Sequence, residues 1–195
     1  MRQWIGAAVI AGVCAVAVGA QTPPPAGQKP ASGGPAQGEK GGGKSDSTFV
    51  QQAAMDGLAE VQLGQTAAQN ATQPEVKQFG QRMAADHGKA NDELKALASQ
   101  KGMTLPTELD AKHKAHVEQM SKMTGAAFDK AYMQHMVSDH QQAVALFQKE
   151  SKGGADADVK AWAAKTLPTL QEHLKMARET NGKVGSGGKE AATKK

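Results

Sequence analysis

Residues 74–101 read PEVKQFGQRMAADHGKANDELKALASQK, and this stretch decides the fold class of the chain. Its apolar positions recur three and four residues apart, which is the spacing of one face of an α-helix. That stripe comprises Val76, Phe79, Met83, His87, Ala90, Leu94 and Leu97. Pro74 suits the first turn of a helix and Glu75 its positively polarised end, while Gly102 follows the pattern. We therefore predict a helix over 74–101.

A related pattern returns further along the chain. The motif Phe79-x3-Met83-x2-Asp86-His87-x2-Ala90 recurs as Tyr132-x3-Met136-x2-Asp139-His140-x2-Ala143. Either a duplication or a core pattern that two helices share by chance accounts for the similarity.

The whole stretch from 47 to 181 favours helices, because it is rich in Ala, Gln, Lys, Leu and Met and has no alternating strand pattern. We predict helices from Ser47 or Thr48 to about Asn70, over 74–101, from a capping box at 107–110 to about Met123, from near Gly125 to Lys152, and from Asp156 or Asp158 onward with a bend at Pro168. Two tight turns and one longer connection predict an all-α bundle of two antiparallel hairpins.

Five groups of motifs follow one another between residues 48 and 177. They are Phe49-Val50-x2-Ala53-Ala54-x2-Gly57 with Glu60-Val61-x-Leu63-Gly64, Val76-Lys77-x-Phe79-x3-Met83-x2-Asp86-His87, Gly125-x2-Phe128-Asp129, Asp139-His140, and Thr166-Leu167-Pro168-x-Leu170-x2-His173-Leu174. In this order they resemble the bacterial domain-of-unknown-function family 4142. The resemblance implies a ferritin-like, up-down four-helix bundle with a short extra connector helix, found in envelope proteins, and it implies no established activity.

The two ends of the chain have a different composition. Residues 1–20 combine Met1-Arg2, an apolar run and Val18-Gly19-Ala20, which is typical of a cleaved signal peptide, although an uncleaved anchor is the alternative. Residues 21–46 are rich in Pro and Gly and predict a disordered linker, and 182–195 predict a disordered basic tail. This leaves 47–181 as the helical domain. We expect export to the periplasm or outer envelope, with membrane contact only through the signal segment or the tails.

Charge and motif content exclude several function classes. The net charge of +4 arises in the tails, and the helical part has no basic face interleaved with aromatic residues, so nucleic acid is not an expected partner. Cys14, the only cysteine, lies in the predicted signal peptide, which excludes disulfides and thiolate sites from the mature chain. There is no phosphate loop, zinc-protease motif or serine elbow. We therefore predict no catalytic residues, and we expect an envelope protein or cell-surface partner if there is one.

Four polar residues lie on helix faces that otherwise carry small or apolar residues. Glu60 shares a stripe with small residues that would let a second helix approach closely: Ala53, Gly57, Gly64, Ala67 and Ala71. His87, His140 and His173 lie on the apolar stripes of their helices. At about 1.5 Å per residue, Glu60 and His87 lie within about one turn of the same level, and His173 lies about 7–8 Å from the level of His140 unless Pro168 bends its helix.

One carboxylate and three imidazoles suit a transition metal such as Fe, Zn or Cu, so Glu60, His87, His140 and His173 are the predicted ligands. Acidic neighbours would hold the imidazoles: Asp86, Asp139 or Glu172. The alternative to a metal ion is a small ligand bound by the same residues. The competing interpretation is a hydrogen-bonded structural core in an envelope interaction or stress-associated module. Ferritin-type di-iron chemistry is not supported, because those sites use Glu-x-x-His motifs and here each histidine directly follows an acid.

Two weaker patterns have simpler interpretations. Asp110-x2-His113-x2-His116 places two histidines close enough to chelate, but both also lie on the packing stripe of the short helix. Methionines at helical spacing could bind Cu(I), but methionine is more often a core filler. These methionines are Met83, Met120, Met123, Met133 and Met136.

Overall fold

The computed structural model of the chain describes residues 43–192, and over this range the protein is all-helical, with no strand. The five helices are α1 (Lys44–Asn70), α2 (Pro74–Lys101), α3 (Ala111–Ser121), α4 (Gly125–Gly153) and α5 (Ala157–Ala192). Within the described range no helix combines the length and the apolar character that a membrane span requires. The predicted signal peptide and the predicted linker up to residue 42 lie outside the described residues.

The helices associate in two pairs. α1 packs mainly on α2, and α4 packs mainly on α5, so the short turns between them close two hairpins. Contacts of α1 with α4 and of α2 with α5 join the hairpins, and α3 lies against α1 and α4. This agrees with the predicted all-α class and the predicted hairpin pairs.

A buried carboxylate of the opposite hairpin holds each short turn. Asp129 of α4 accepts a hydrogen bond from the backbone N–H of Thr72 at 3.0 Å. Asp46 of α1 accepts hydrogen bonds from the backbone N–H groups of Ala155 at 3.1 Å and Asp156 at 2.7 Å. Neither carboxylate is exposed. Because buried backbone amides need partners, these contacts fix the ends of the two hairpins relative to each other.

Two helix ends differ from the sequence prediction, and tertiary contacts explain both. α1 begins at Lys44 rather than at Ser47, because Asp46 in its first turn is held by the turn between α4 and α5. α5 continues to Ala192, so most of the predicted disordered tail is helical. Val184 is only 8% exposed, and its packing against the core favours this extension.

The third difference concerns α3. Its N-cap is Asp110, whose side chain accepts a hydrogen bond from the backbone N–H of His113 at 2.9 Å. The helix therefore begins at Ala111, and the prediction of a capping box starting at Thr107 was wrong. In α5, Pro168 lies inside the helix without ending it.

The core consists of two apolar clusters. The first apolar cluster contains the buried residues Leu63, Ala67, Ala71, Val76, Phe79, Met83, Met120, Phe128, Tyr132, Met133, Met136, Ala177 and Val184, with Met123 packed against it. The second apolar cluster contains Phe49, Val50, Ala53, Ala54, Leu94, Ala98, Phe147, Val159, Trp162, Ala163 and Leu170. All five methionines considered as copper ligands belong to the first cluster or pack on it, which favours their interpretation as core fillers.

A polar layer separates the two clusters. On every long helix, a residue of the predicted ligand set lies between the segment that contributes to the first cluster and the segment that contributes to the second. These residues are Glu60, His87, His140 and His173. The layer therefore contains the four residues that the sequence analysis predicted as metal ligands.

Candidate metal centre

Three histidines from three helices meet in the polar layer, and we call them the His triad: His87 of α2, His140 of α4 and His173 of α5. The ring centroids of His87 lie 5.6 Å from His140 and 5.4 Å from His173, and the last two are 5.4 Å apart. One nitrogen of each ring lies within 4.8 Å of the other two. The offset predicted for His173 from residue counting therefore does not separate it from the others.

Two members of the triad use their second ring nitrogen in a hydrogen bond to the protein. Nδ1 of His140 lies 3.0 Å from the carbonyl oxygen of Met136, and Nε2 of His173 lies 2.9 Å from a carboxylate oxygen of Asp86. Each contact requires the proton on that nitrogen. Nε2 of His140, Nδ1 of His173 and Nε2 of His87 are buried and have no hydrogen-bond partner among the described residues. Histidines that bind metals in proteins show this division of the two nitrogens.

The carboxylate that orients His173 is itself held in place. Nε of Arg82 lies 2.5 Å from the Asp86 oxygen that His173 contacts, and a second guanidinium nitrogen lies 3.5 Å from Glu172. Although burial raises the pKa of Asp86, the hydrogen bonds from Arg82 and His173 lower it below its usual value. Asp86 therefore contacts an imidazole of the predicted set, but across helices, since its partner is His173 and not its neighbour His87.

The triad is neutral near pH 7. Burial, followed by the neighbouring imidazoles, lowers the pKa of His87 to about 3 and that of His140 to about 4. Burial also lowers the pKa of His173, although Asp86 opposes the shift. Neutral imidazoles present the lone pair that a metal ion requires.

Glu60 lies beside the triad and belongs geometrically to a second group. It is 2% exposed, and it lines a small cavity of about 30 Å³ together with His87 and His140. A carboxylate oxygen of Glu60 lies within 4.8 Å of ligand atoms of His135 and Asp139. Burial raises the pKa of Glu60 well above its usual value, and the neighbouring Asp139 raises it further.

His135 is the residue of this second group that the sequence analysis missed. It precedes Asp139 by four residues on α4, so the two side chains share one face of the helix. This spacing was a usable signal, but His135 lies next to the apolar stripe of α4 and not on it.

The two histidines of α3 contact different partners and do not form the chelate that their spacing allowed. The ring nitrogens of His113 lie 2.8 Å from a carboxylate oxygen of Asp110 and 3.4 Å from one of Asp56. The ring centroid of His116 lies 4.1 Å from that of His135. α3 therefore directs both histidines toward the second group, while Met120 on the same helix packs in the core.

The fold and the site together define an all-helical protein with a buried histidine layer. The chain belongs to the family described as "Domain of unknown function (DUF4142)", whose family model matches residues 31–180. This confirms the resemblance seen in the sequence motifs. No curated protein matches the chain.

Three solved structures share the fold. A DUF305 fragment from Deinococcus radiodurans has a TM-score of 0.64 at 15% identity, covering 73% of this chain and 98% of the other. A DUF305 protein from Streptomyces coelicolor has a TM-score of 0.61 at 10% identity, with coverage of 72% and 94%. CopM in the Cu(II)-bound form has a TM-score of 0.56 at 15% identity, with coverage of 71% and 96%. At these identities the similarity shows the helical fold alone.

Proposed function

We propose that the chain binds one transition-metal ion through His87, His140 and His173. Two observations carry this proposal: one nitrogen of each ring lies within 4.8 Å of a nitrogen of the other two, and each ring has one buried nitrogen without a hydrogen-bond partner among the described residues. Three neutral imidazoles suit Cu, Zn, Fe or Ni. Glu60 borders the site through the small cavity that it shares with His87 and His140.

The same observation disfavours a purely structural polar core. Buried polar groups that serve only to fix helix register are normally hydrogen-bonded, because an unpaired one costs about 1–3 kcal/mol. Here one ring nitrogen of His140 and one of His173 has a hydrogen-bond partner, and the other nitrogen of each ring is buried without a partner among the described residues. A bound ion would give all three free nitrogens a partner at once.

Copper is the first ion to test. Among divalent first-row ions, nitrogen donors bind Cu(II) most tightly. CopM, which is similar in fold, was solved in a Cu(II)-bound form. Zinc is the second choice, since imidazole is also among its preferred ligands.

The finer architecture and the location of the protein are part of the proposal. The pairing of α1 with α2 and of α4 with α5, and the cross-contacts between the pairs, support a ferritin-like four-helix arrangement with α3 as an added connector. The sequence of residues 1–20 supports export to the periplasm or outer envelope. The description of the Streptomyces coelicolor structure also refers to secretion. We propose a role in metal binding within the envelope, without catalysis.

A competition titration with a chromophoric chelator tests the site. The untagged chain, loaded with Cu(II) or Zn(II), should hold one ion in the triad. His87→Gln or His140→Gln should each weaken that binding by about 100-fold or more, because each removes a ligand. This loss should exceed the loss caused by removing a residue that only orients a ligand. Glutamine is used because it keeps much of the packing of the ring.

His113→Ala is the matched control, because His113 lies outside the triad and pairs with carboxylates. Thermal unfolding of each variant shows whether it is folded. If folded His87→Gln and His140→Gln bind copper and zinc as tightly as the unaltered chain does, the triad is not the metal site.

A further inference from the structure

An open cleft of about 810 Å³ lies on one side of the polar layer, lined by α1, α3 and α4. Its ionisable lining residues include Asp56, Glu60, His113, His116, His135 and Asp139. His116, His135 and Asp139 are partly exposed to solvent in this cleft, whereas His140 and His173 of the triad are buried.

Three of these side chains have the spacing of metal ligands. Donor atoms of Glu60, His135 and Asp139 lie within 4.8 Å of one another. Glu60 comes from α1, and the other two residues come from successive turns of α4, so two helices fix the geometry. Glu60 is only 2% exposed, and its Oε2 atom has no hydrogen-bond partner among the described residues.

A further imidazole, that of His116 on α3, lies beside this group. The ring centroid of His116 lies 4.1 Å from that of His135, and Nε2 of His116 is buried and has no hydrogen-bond partner within the described part of the chain. Since α3 contacts both α1 and α4, it completes this wall of the cleft.

The charges in the cleft favour a cation. Asp56, Glu60 and Asp139 bring three carboxyl groups together, and Lys112 is the only Lys or Arg among the described lining residues. A divalent cation is the charge that complements such a cluster of carboxyl groups.

We propose a second metal site in this cleft, in which Glu60, His135 and Asp139, with His116 as a fourth ligand, bind a divalent first-row ion such as Zn(II). Two carboxylates and two imidazoles form a mixed oxygen and nitrogen set, which suits Zn(II) in tetrahedral coordination. The triad offers nitrogen alone. The cleft site does not depend on the triad, because the two sites share no ligand in this assignment.

Zinc stoichiometry tests the proposal in the full chain. Competition titration should give two Zn(II) ions per chain if both sites exist, and His135→Ala and Asp139→Asn should each remove the cleft ion only. The cleft ion should also leave faster than the triad ion when a strong chelator is added. His87→Gln serves as the complementary variant, because it should remove the triad ion and leave the cleft ion bound.

His113→Ala is the control, since this histidine lines the cleft outside the proposed ligand set. The cleft site is refuted if only His87→Gln loses zinc while folded His135→Ala and Asp139→Asn bind as much zinc as the unaltered chain. The triad would then remain as the metal site. If His87→Gln still binds one zinc ion and the double variant His87→Gln/His135→Ala binds none, that ion occupies the cleft site. This outcome supports the cleft site even if the triad holds no metal. Asp139→Asn has nearly the shape of the original residue and guards against a folding artefact.

Discussion

The free nitrogens of the triad are determined by hydrogen bonds outside it. The carbonyl of Met136 holds the Nδ1 proton of His140, so this ring presents Nε2, whereas Asp86 holds the Nε2 proton of His173, so that ring presents Nδ1. Such outer contacts fix both the tautomer and the ring orientation of a ligand. The availability of the donor atoms therefore depends on residues that would not touch a metal.

Removal of the Asp86 carboxylate should weaken metal binding without removing a ligand. In Asp86→Ala, His173 loses the acceptor that orients its ring, and we expect the affinity for Cu(II) or Zn(II) to fall about 10- to 100-fold. Competition titration measures the change. Asp92→Ala on the same helix is the control and should bind as the unaltered chain does; an unchanged affinity in Asp86→Ala would contradict the supporting role.

Glu150 makes a separate contribution to pH dependence. It is 5% exposed, and burial together with the neighbouring Asp46 raises its pKa to about 7. The folded chain therefore keeps a proton that the unfolded chain loses above its usual pKa near 4.5, so this group makes the protein less stable as pH rises from about 4.5 to 7. Glu150→Gln should remove that loss, so at pH 8 its free energy of unfolding should exceed that of the unaltered chain by about 1–3 kcal/mol.

Denaturant unfolding at pH 5 and pH 8 measures this effect as a difference between variant and parent. The difference is needed because His87 and His140, whose pKa values are lowered, contribute stability that increases as pH rises toward 6.5. Glu118→Gln at an exposed position is the control. An equal stability difference at both pH values would refute the assignment to Glu150.

The polar residues of the triad could be found from the sequence because helical periodicity identifies a histidine on an apolar stripe. Their mutual contacts could not, since the tilt and level of each helix follow from packing of the whole core. His135 is the clearest example of a site residue that the sequence alone does not reveal. It lies beside the stripe of α4, and its importance depends on where α3 places His116, which local spacing does not determine.

At the scale of helices, the close approach of α1 and α2 follows from glycine. A Cβ added at Gly64 would lie 2.5 Å from the carbonyl oxygen of Gly80 and 2.9 Å from the backbone nitrogen of Ala84. Both neighbours are backbone atoms and cannot move aside as a flexible side chain could. The stripe of small residues on α1 predicted a closely packed neighbouring helix, and this prediction is confirmed at Gly64.

Gly64→Ala should therefore destabilise the fold by about 1–3 kcal/mol, the usual cost of overpacking. Gly88→Ala on α2 is a matched control, because a Cβ there meets nothing within 4 Å. Replacing this helical glycine should stabilise the chain by about 0.5–1 kcal/mol. Chemical denaturation of the two variants compares them directly, and the expectation fails if both substitutions change stability by the same amount.

Helix bounds illustrate what local rules can and cannot determine. The start of α2 at Pro74 and its end at Lys101 agree with the prediction, because capping and periodicity decide them locally. The start of α1 depends on a contact between Asp46 and residues more than one hundred positions away. The extension of α5 depends on the packing of Val184, for which composition provides no signal.

In the described part of the molecule, the two apolar clusters enclose the polar layer. The clusters keep water and large ligands away from His140 and His173, each of which is 1% exposed, while the partly exposed His135 and Asp139 line the open cleft. This division separates an enclosed nitrogen site from an open mixed-ligand site. The all-helical class and its two hairpins could be predicted from sequence, whereas this division required the positions of all five helices.

The most direct test of the triad as a metal site is anomalous diffraction from crystals of the chain soaked with Cu(II), recorded at the copper absorption edge. We expect a peak at about 2 Å from Nε2 of His87, Nε2 of His140 and Nδ1 of His173, the usual distance for imidazole ligands. If copper peaks are found only elsewhere, with the three rings unchanged and no peak between them, the triad is not a metal site.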